Sequence, residues 1–393
     1  MKLVVACWII IQALTGYNLV MPLVLYGVYL LRRKKKAVRL AVPVREADYA
    51  VIVTAYEQTT LLPEVIGSLL KMNYRNYLIY VVADKCDVSD LRFPAEKVVV
   101  LRPPETLASN TRSHFYAIRH FQRPHERLTI IDSDNLVNPD YLHELNKPFE
   151  EGFDAVQGVR AAKNLNTTYA CLDAARDIYY HFYDGKILFG AGSSATLAGS
   201  GMAFTTALYQ ETLGSLDITG AGFDKVLQYQ IVTRGKRIAF SENAVVYDEK
   251  TTNTDQLVKQ RARWINTWFK YFGYGFTLAG KGLAKLNWNQ FLFGLVLLRP
   301  PLFIFLFLSL LFTLINLWVA PVISLVWLGG MALFVAGFVL ALRRSHTDAR
   351  IYQSLPNIPK FMFYQVLSLM KIRKANKYSV ATRHFYNKSS ESI

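Results

Sequence analysis

Tyr49-Ala50-Val51-Ile52-Val53, then Thr60 to Leu70, then Leu78-Ile79-Tyr80-Val81-Val82-Ala83 form the stretch that sets the fold. Two short apolar runs flank a segment with helical periodicity, which is the pattern of a β-α-β unit. Leu62, Val65, Ile66, Leu69 and Leu70 share one face of the predicted helix. Pro63 suits its first turn, and Thr60 is the expected N-cap. Further strands are predicted at Lys97 to Leu101 and Leu128 to Ile131, so the expected architecture is α/β with a largely parallel sheet. Ligands of open α/β sheets lie beyond the carboxyl ends of the strands. Three residues just past those ends are acidic: Glu57, Asp84 and Asp132.

On either side of this block the composition changes. Leu3 to Leu31 contains no charged residue, and at 1.5 Å per helical residue it exceeds the roughly 30 Å of a hydrocarbon core. Its length argues for an uncleaved anchor over a signal peptide. Arg32-Arg33-Lys34-Lys35-Lys36 follows, and the positive-inside rule places that cluster and the block after it in the cytoplasm. Phe291 to Leu342 is long enough for two more spans, divided near Pro321, with Arg299-Pro300-Pro301 interrupting its start and Arg343-Arg344 returning it to the cytoplasm. Trp264 to Leu286 and Phe361 to Lys374 mix aromatic, Leu and basic residues; each reads equally as an interfacial helix or as one packed on the soluble core. The expected organisation is an N-terminal span (1–31), a basic linker (32–48), a catalytic domain (49–255), an interfacial segment (256–290), two spans (291–342) and a cytoplasmic C-terminal segment (343–393).

Lys and Arg number 45 against 29 Asp and Glu, a formal charge of +16. The densest basic runs, Arg32 to Lys36, Arg343-Arg344 and Lys371 to Lys377, each follow an apolar stretch, so membrane lipid is the expected partner and nucleic acid is not. Cys7, Cys86 and Cys171 are too scattered for a disulfide framework or a zinc site, and the seven histidines form no metal or nucleophile constellation.

The chemistry lies in two motifs. Asp132-Ser133-Asp134 follows the apolar run Leu128 to Ile131, and a turn there lets two carboxylates converge on a hard divalent cation, Mg2+ or Mn2+. A sugar diphosphate needs such a cation, because charge accumulates on the departing diphosphate. Gln260-Arg261-Ala262-Arg263-Trp264 comes just before the membrane-leaning sequence. On a helix Gln260, Arg263 and Trp264 fall at i, i+3 and i+4, offering an amide, a guanidinium that grips phosphate and an indole that stacks on a sugar.

In combination these motifs resemble family 2 of the glycosyltransferases, in particular its processive membrane group of hyaluronan, chitin, cellulose and poly-N-acetylglucosamine synthases. The resemblance covers roughly Ala50 to Trp264. It implies a GT-A, Rossmann-like domain with flanking transmembrane helices, a UDP-sugar donor, a glycan or lipid-linked acceptor, and an inverting reaction. It implies a metal at Asp132 and Asp134, donor contacts from Glu57, Asp84, Arg112, Asp132, Gln260 and Arg263, and acceptor contacts from Gly201 and Trp264. Ala198 to Phe204 is similar to the family's glycine-rich strand, although close backbone packing explains those glycines equally well. The family's catalytic Glu-Asp pair matches Phe223-Asp224, so Asp224 keeps the role of general base while its neighbour has lost its charge. The same resemblance admits a homo-oligomer or a secretion partner, and places the enzyme in a bacterial inner membrane.

Overall fold

The computed structural model describes residues 2–33, 45–252 and 254–369. The basic run Lys371 to Lys377, the last residues of Phe361 to Lys374 and most of the basic linker lie outside them.

Among the described residues eight strands form one sheet: Tyr49–Tyr56 (β1), Tyr77–Asp84 (β2), Val98–Leu101 (β3), Arg127–Asp132 (β4), Leu136–Val137 (β5), Ala155–Ala162 (β6), Met202–Thr205 (β7) and Ile238–Asp248 (β8). Their order is β3-β2-β1-β4-β7-β6-β8-β5. The half read from sequence, β3-β2-β1-β4, is parallel throughout. The other half is mixed: β7 runs antiparallel to both β4 and β6, whereas β6 and β8 are parallel. Alternate residues of β1 enter opposite cores, Ala50 and Ile52 on one face and Val51 and Val53 on the other. Burial on both faces explains why the strand reads as a continuous apolar run. Register then sets the site, because Thr54 lies opposite Asp132 and Tyr56 opposite Asp84, putting the strand-end acids on one edge.

The helix after β1 spans Leu62–Leu70 and buries Leu62, Val65, Ile66 and Leu69, as its periodicity predicts. Thr60 is not its cap. Leu61 takes that position without a side-chain bond, because the Leu62 amide is already satisfied by the Thr59 carbonyl in a tight turn.

Among the described residues three helices are long and apolar enough to cross a membrane: Val5–Arg32, Leu302–Val319 and Pro321–Arg344. They interlock through polar groups as well as apolar ones. Gln12 accepts hydrogen bonds from Asn316 and from the Trp327 indole, all three side chains being buried. Polar side chains inside a bundle find partners across helices because lipid offers none. Arg299 pairs with Asp184 and Tyr183 donates to the Gly337 carbonyl, which fastens these helices to the π-helix His181–Ile187 of the sheet domain. The Trp264 to Leu286 region is two helices, Thr254–Tyr271 and Gly273–Ala284, broken at Phe272.

Candidate active site

β4 delivers Asp132 to the sheet edge, and the glycine-rich turn before β7 holds it there. The Asp132 amide donates to Ser200 Oγ at 3.1 Å, Ser200 donates to Asn135 Oδ1 at 2.6 Å, and Asn135 donates to Asp134 Oδ1 at 2.9 Å. Gly199 and Gly201 have φ of +88° and +67°, values that favour glycine. A Cβ on Gly201 would stand 3.0 Å from the Val246 side chain, so the close approach its small size permits is to β8.

The other donor-side candidates are each engaged. Both Asp84 oxygens accept backbone N–H bonds, from Leu107 at 2.9 Å and Ala108 at 2.8 Å, so this buried carboxylate shapes the loop before the next helix. Glu57 and Lys85 both adopt positive φ and pair at 2.7 Å across the ends of β1 and β2. That bond to Lys85 lowers the Glu57 pKa. Arg112 opens the helix Asn110–Arg119 and binds Asp217 through two bonds of 2.8 and 2.6 Å.

Asp224 lies in the first turn of the helix Phe223–Thr233, with Lys225 Nζ 3.1 Å from its carboxylate. Gly222 caps that helix at φ +100°, and a Cβ there would fall 2.6 Å from both Thr267 and Tyr271. The helix Thr254–Tyr271, which carries Gln260 to Trp264, is therefore seated directly on the Asp224 turn. Phe223 is buried edge-on against the His114 ring, their centres 5.2 Å apart. On the long helix, Gln260 accepts from Thr251 at 3.1 Å. Arg263 is half-buried; burial lowers its pKa, and no carboxylate pairs with it among the described residues. Trp264 stays 40% exposed and has Arg261 and Arg176 over its ring at 4.0 and 4.2 Å, so its indole faces cations as well as solvent.

Sequence reading missed what joins these parts. Lys250 is buried between Asp177, 2.6 Å away, and Asp248. Burial opposes its charge, but the two carboxylates outweigh that and raise its pKa. Asp248 also binds Arg160, whose Nη1 holds the Ala198 carbonyl of the glycine-rich turn at 2.6 Å. Burial likewise disfavours the Arg160 charge, while Asp248, Asp132, Asp177 and Asp134 hold its pKa above the ordinary value. On the far side Arg176 bridges Asp177 and Asp173, and Asp173 pairs with buried Arg261. Burial, then the Arg176 charge, push the Arg261 pKa down to about 10. The signal available in sequence was Asp248-Glu249-Lys250, charge following directly on the run Ala244 to Tyr247.

Among the described residues no group of three or more His, Cys, Asp or Glu gathers as a self-contained metal cage. The oxygen donors of Asp132 and Asp134 suit a hard cation that takes its remaining ligands from phosphate and water, as Mg2+ commonly does.

A mixed sheet with acids and a glycine turn at one edge, a cationic helix beside it and apolar helices flanking it defines a GT-A, Rossmann-like glycosyltransferase domain. The chain belongs to the glycosyltransferase-like family 2, whose model matches residues 47–267, and it is a glycosyltransferase that draws on a nucleotide-sugar donor. Among solved structures it is similar to a mannosyltransferase from Pyrobaculum calidifontis in complex with GDP-Man and Mn2+, at 15% identity and a TM-score of 0.49, covering 92% of this chain and 98% of that one. S. aureus TarS matches at 18% identity and a TM-score of 0.36, over 56% of this chain and 39% of that one. No curated protein matches the chain.

Proposed function

We propose that the protein is an integral membrane, inverting glycosyltransferase that moves a sugar from a UDP-sugar to a growing polysaccharide at the cytoplasmic face of a bacterial inner membrane. One observation carries this reading: the helix bearing Gln260 and Arg263 is packed on Gly222, two residues from Asp224, so base and leaving-group cation belong to one assembly. Asp224 takes the proton of an acceptor hydroxyl as that oxygen attacks the anomeric carbon. The bond from that carbon to the diphosphate breaks on the opposite face, its electron pair leaves with UDP, and configuration inverts. Gln260 and the uncompensated Arg263 receive the diphosphate, Arg263 through paired hydrogen bonds. Asp132 and Asp134 would hold a divalent cation, and when bound it would supply Lewis-acid neutralisation of the leaving group. Glu57, Asp84 and Arg112 shape the nucleotide side through the loops they fasten, and Gly201 and Trp264 border the acceptor.

A second reading, transfer of a single sugar to a lipid-linked acceptor, is favoured by Phe223, which fills the position of the glutamate in the family's Glu-Asp pair and is buried against His114. Membranes containing the protein, supplied with several UDP-sugars and Mg2+ or Mn2+, test both readings. UDP release is expected to need the cation and to fall about 10²- to 10⁴-fold in Asp224→Asn, the usual contribution of a general base, with UDP binding retained. Undiminished release by that variant would sink the assignment of Asp224. Long products sized from the same reaction support the polymer, and one-sugar lipid products the second reading.

A further inference from the structure

The first apolar helix ends beside the sheet domain, and Arg32 reaches onto it. A Cβ at Gly192 would lie 1.7 Å from Arg32 Nη1, so the guanidinium rests directly on that glycine, which turns the chain at φ +98°. Trp288 closes another side: its ring centre is 5.9 Å from Arg32 Cζ, and its indole donates to the Ala191 carbonyl at 3.0 Å. Arg237 approaches the same turn, donating from Nε to Ser193 at 2.8 Å and from Nη2 to Phe189 at 2.7 Å. Burial and then the Arg32 charge lower the Arg237 pKa.

Two like charges converge here without compensation. Among the described residues no carboxylate pairs with Arg32 or Arg237. Asp154, close in space through Lys236, is taken by that lysine at 2.5 Å, and Glu242 by Lys186 at 2.6 Å. The segment that follows, residues 34–44, contains Lys34, Lys35, Lys36 and Arg39 but no acid. Position adds the second half of the argument. Arg32 is the last residue of the span Val5–Arg32, and Trp288 opens the apolar helix Trp288–Leu298. Trp is favoured at the headgroup level of a bilayer, where its ring is in lipid and its N–H is satisfied. Guanidinium groups bind phosphate through paired hydrogen bonds.

We infer that Arg32, Arg237 and Trp288, gathered around the Gly192 turn, form a binding site for the headgroup phosphate of an anionic phospholipid. The lipid anchors the end of the first span to the sheet domain and neutralises the arginine pair. The site is independent of the sugar chemistry, so its test needs no transfer.

Purified full-length protein in a neutral detergent, titrated with fluorescent phosphatidylglycerol, provides that test. Arg32→Gln is expected to weaken binding about fivefold, the worth of one basic residue at an anionic membrane surface. Arg32→Lys keeps the charge but not the paired hydrogen bonds and recovers only part of the affinity. Arg344→Gln, which removes an exposed charge at the end of another span, leaves it unchanged. Arg237→Lys keeps its charge but loses the planar fork, and weakens binding by a similar factor to Arg32→Gln. Unaltered binding by Arg32→Gln overturns the site, and equal weakening by Arg344→Gln shows diffuse attraction instead. Inorganic phosphate at the same concentration should displace little of the lipid; full displacement overturns the lipid as the source of the phosphate.

Discussion

Asp132 and Asp224 each stand at the end of a regular element, yet they are fixed in different ways. Asp132 closes a strand that has β1 on one side and β7 on the other, and its amide is bonded to Ser200. Asp224 opens a helix whose place depends on what Thr267, Tyr271 and His114 press against Gly222 and Phe223. The half around Asp132, the proposed donor half, therefore inherits its geometry from backbone register, and the half around Asp224, the proposed acceptor half, from side-chain packing between helices. Register tolerates almost no drift, because a one-residue slip reverses every side chain. Helix packing can be retuned one residue at a time, so the half around Asp224 tolerates changes that the strand register around Asp132 does not.

The sharpest way to break this contrast is at Lys250, the buried cation beneath the donor half. Lys250→Met leaves Asp177 and Asp248 with only Arg160 and Arg176 to balance them. Removing one partner of a buried ion pair costs about 3 to 5 kcal/mol, and the remaining arginines put the expected loss near the lower figure. Denaturant melts of wild type and variant in detergent measure it. Because Arg160 holds the Ala198 carbonyl, UDP binding should weaken as well. A stable variant with normal UDP affinity would mean that the network only fills space.

The donor half was also the part open to sequence reading, for the same physical reason. Strands buried on both faces announce themselves as apolar runs, and the residues one step beyond them are the edge acids, so β1, β2, β4, Glu57, Asp84 and Asp132 could all be placed. Period gives the element but not its partner. Nothing in Asp84 itself foretold that its two oxygens would go to the amides of Leu107 and Ala108, or in Arg112 that it would close on Asp217, 105 residues away. In the mixed half only β7 was reached, through the resemblance of Ala198 to Phe204 to a glycine-rich strand, and β6 escaped because it loses burial halfway along. Lys250, Asp177 and Asp173 became a network only through the packing of β8, the helix Thr168–Tyr180 and the helix Thr254–Tyr271, contacts that no local pattern encodes.

In the acceptor half a pair of glycines separates backbone strain from packing. Gly222 and Gly235 both have positive φ, +100° and +77°, but a Cβ on Gly235 meets nothing within 4 Å. Gly235→Ala should cost about 1 kcal/mol, the strain alone. Gly222→Ala adds the collision with Thr267 and Tyr271 and should cost about 2 kcal/mol or somewhat more. It should also lower kcat more than it raises the KM for donor, since it pushes the Asp224 turn away from the helix of Gln260 and Arg263. Equal costs at the two positions would show that the long helix yields freely, and that packing does not set the acceptor half.

The last effect, about 1.4 kcal/mol per pH unit, concerns the ring behind Phe223. Burial pushes the His114 pKa down to about 3, and the ring is bonded to the Tyr209 hydroxyl at 2.7 Å. An unfolded histidine takes up its proton near pH 6.5, whereas the folded one refuses it until far lower pH. Its contribution to stability is therefore complete above the unfolded value and drains away as pH falls toward the folded one. Between about pH 5.5 and 4 one proton separates the two states, a slope of about 1.4 kcal/mol per pH unit. His114→Phe removes that slope while keeping an aromatic ring against Phe223, so its stability should fall less steeply with acid than that of wild type. His181, also held low by burial, titrates equally in both proteins and cancels from the comparison. Parallel pH profiles in denaturant melts would mean that His114 accepts a proton in place, and that water reaches it behind Phe223.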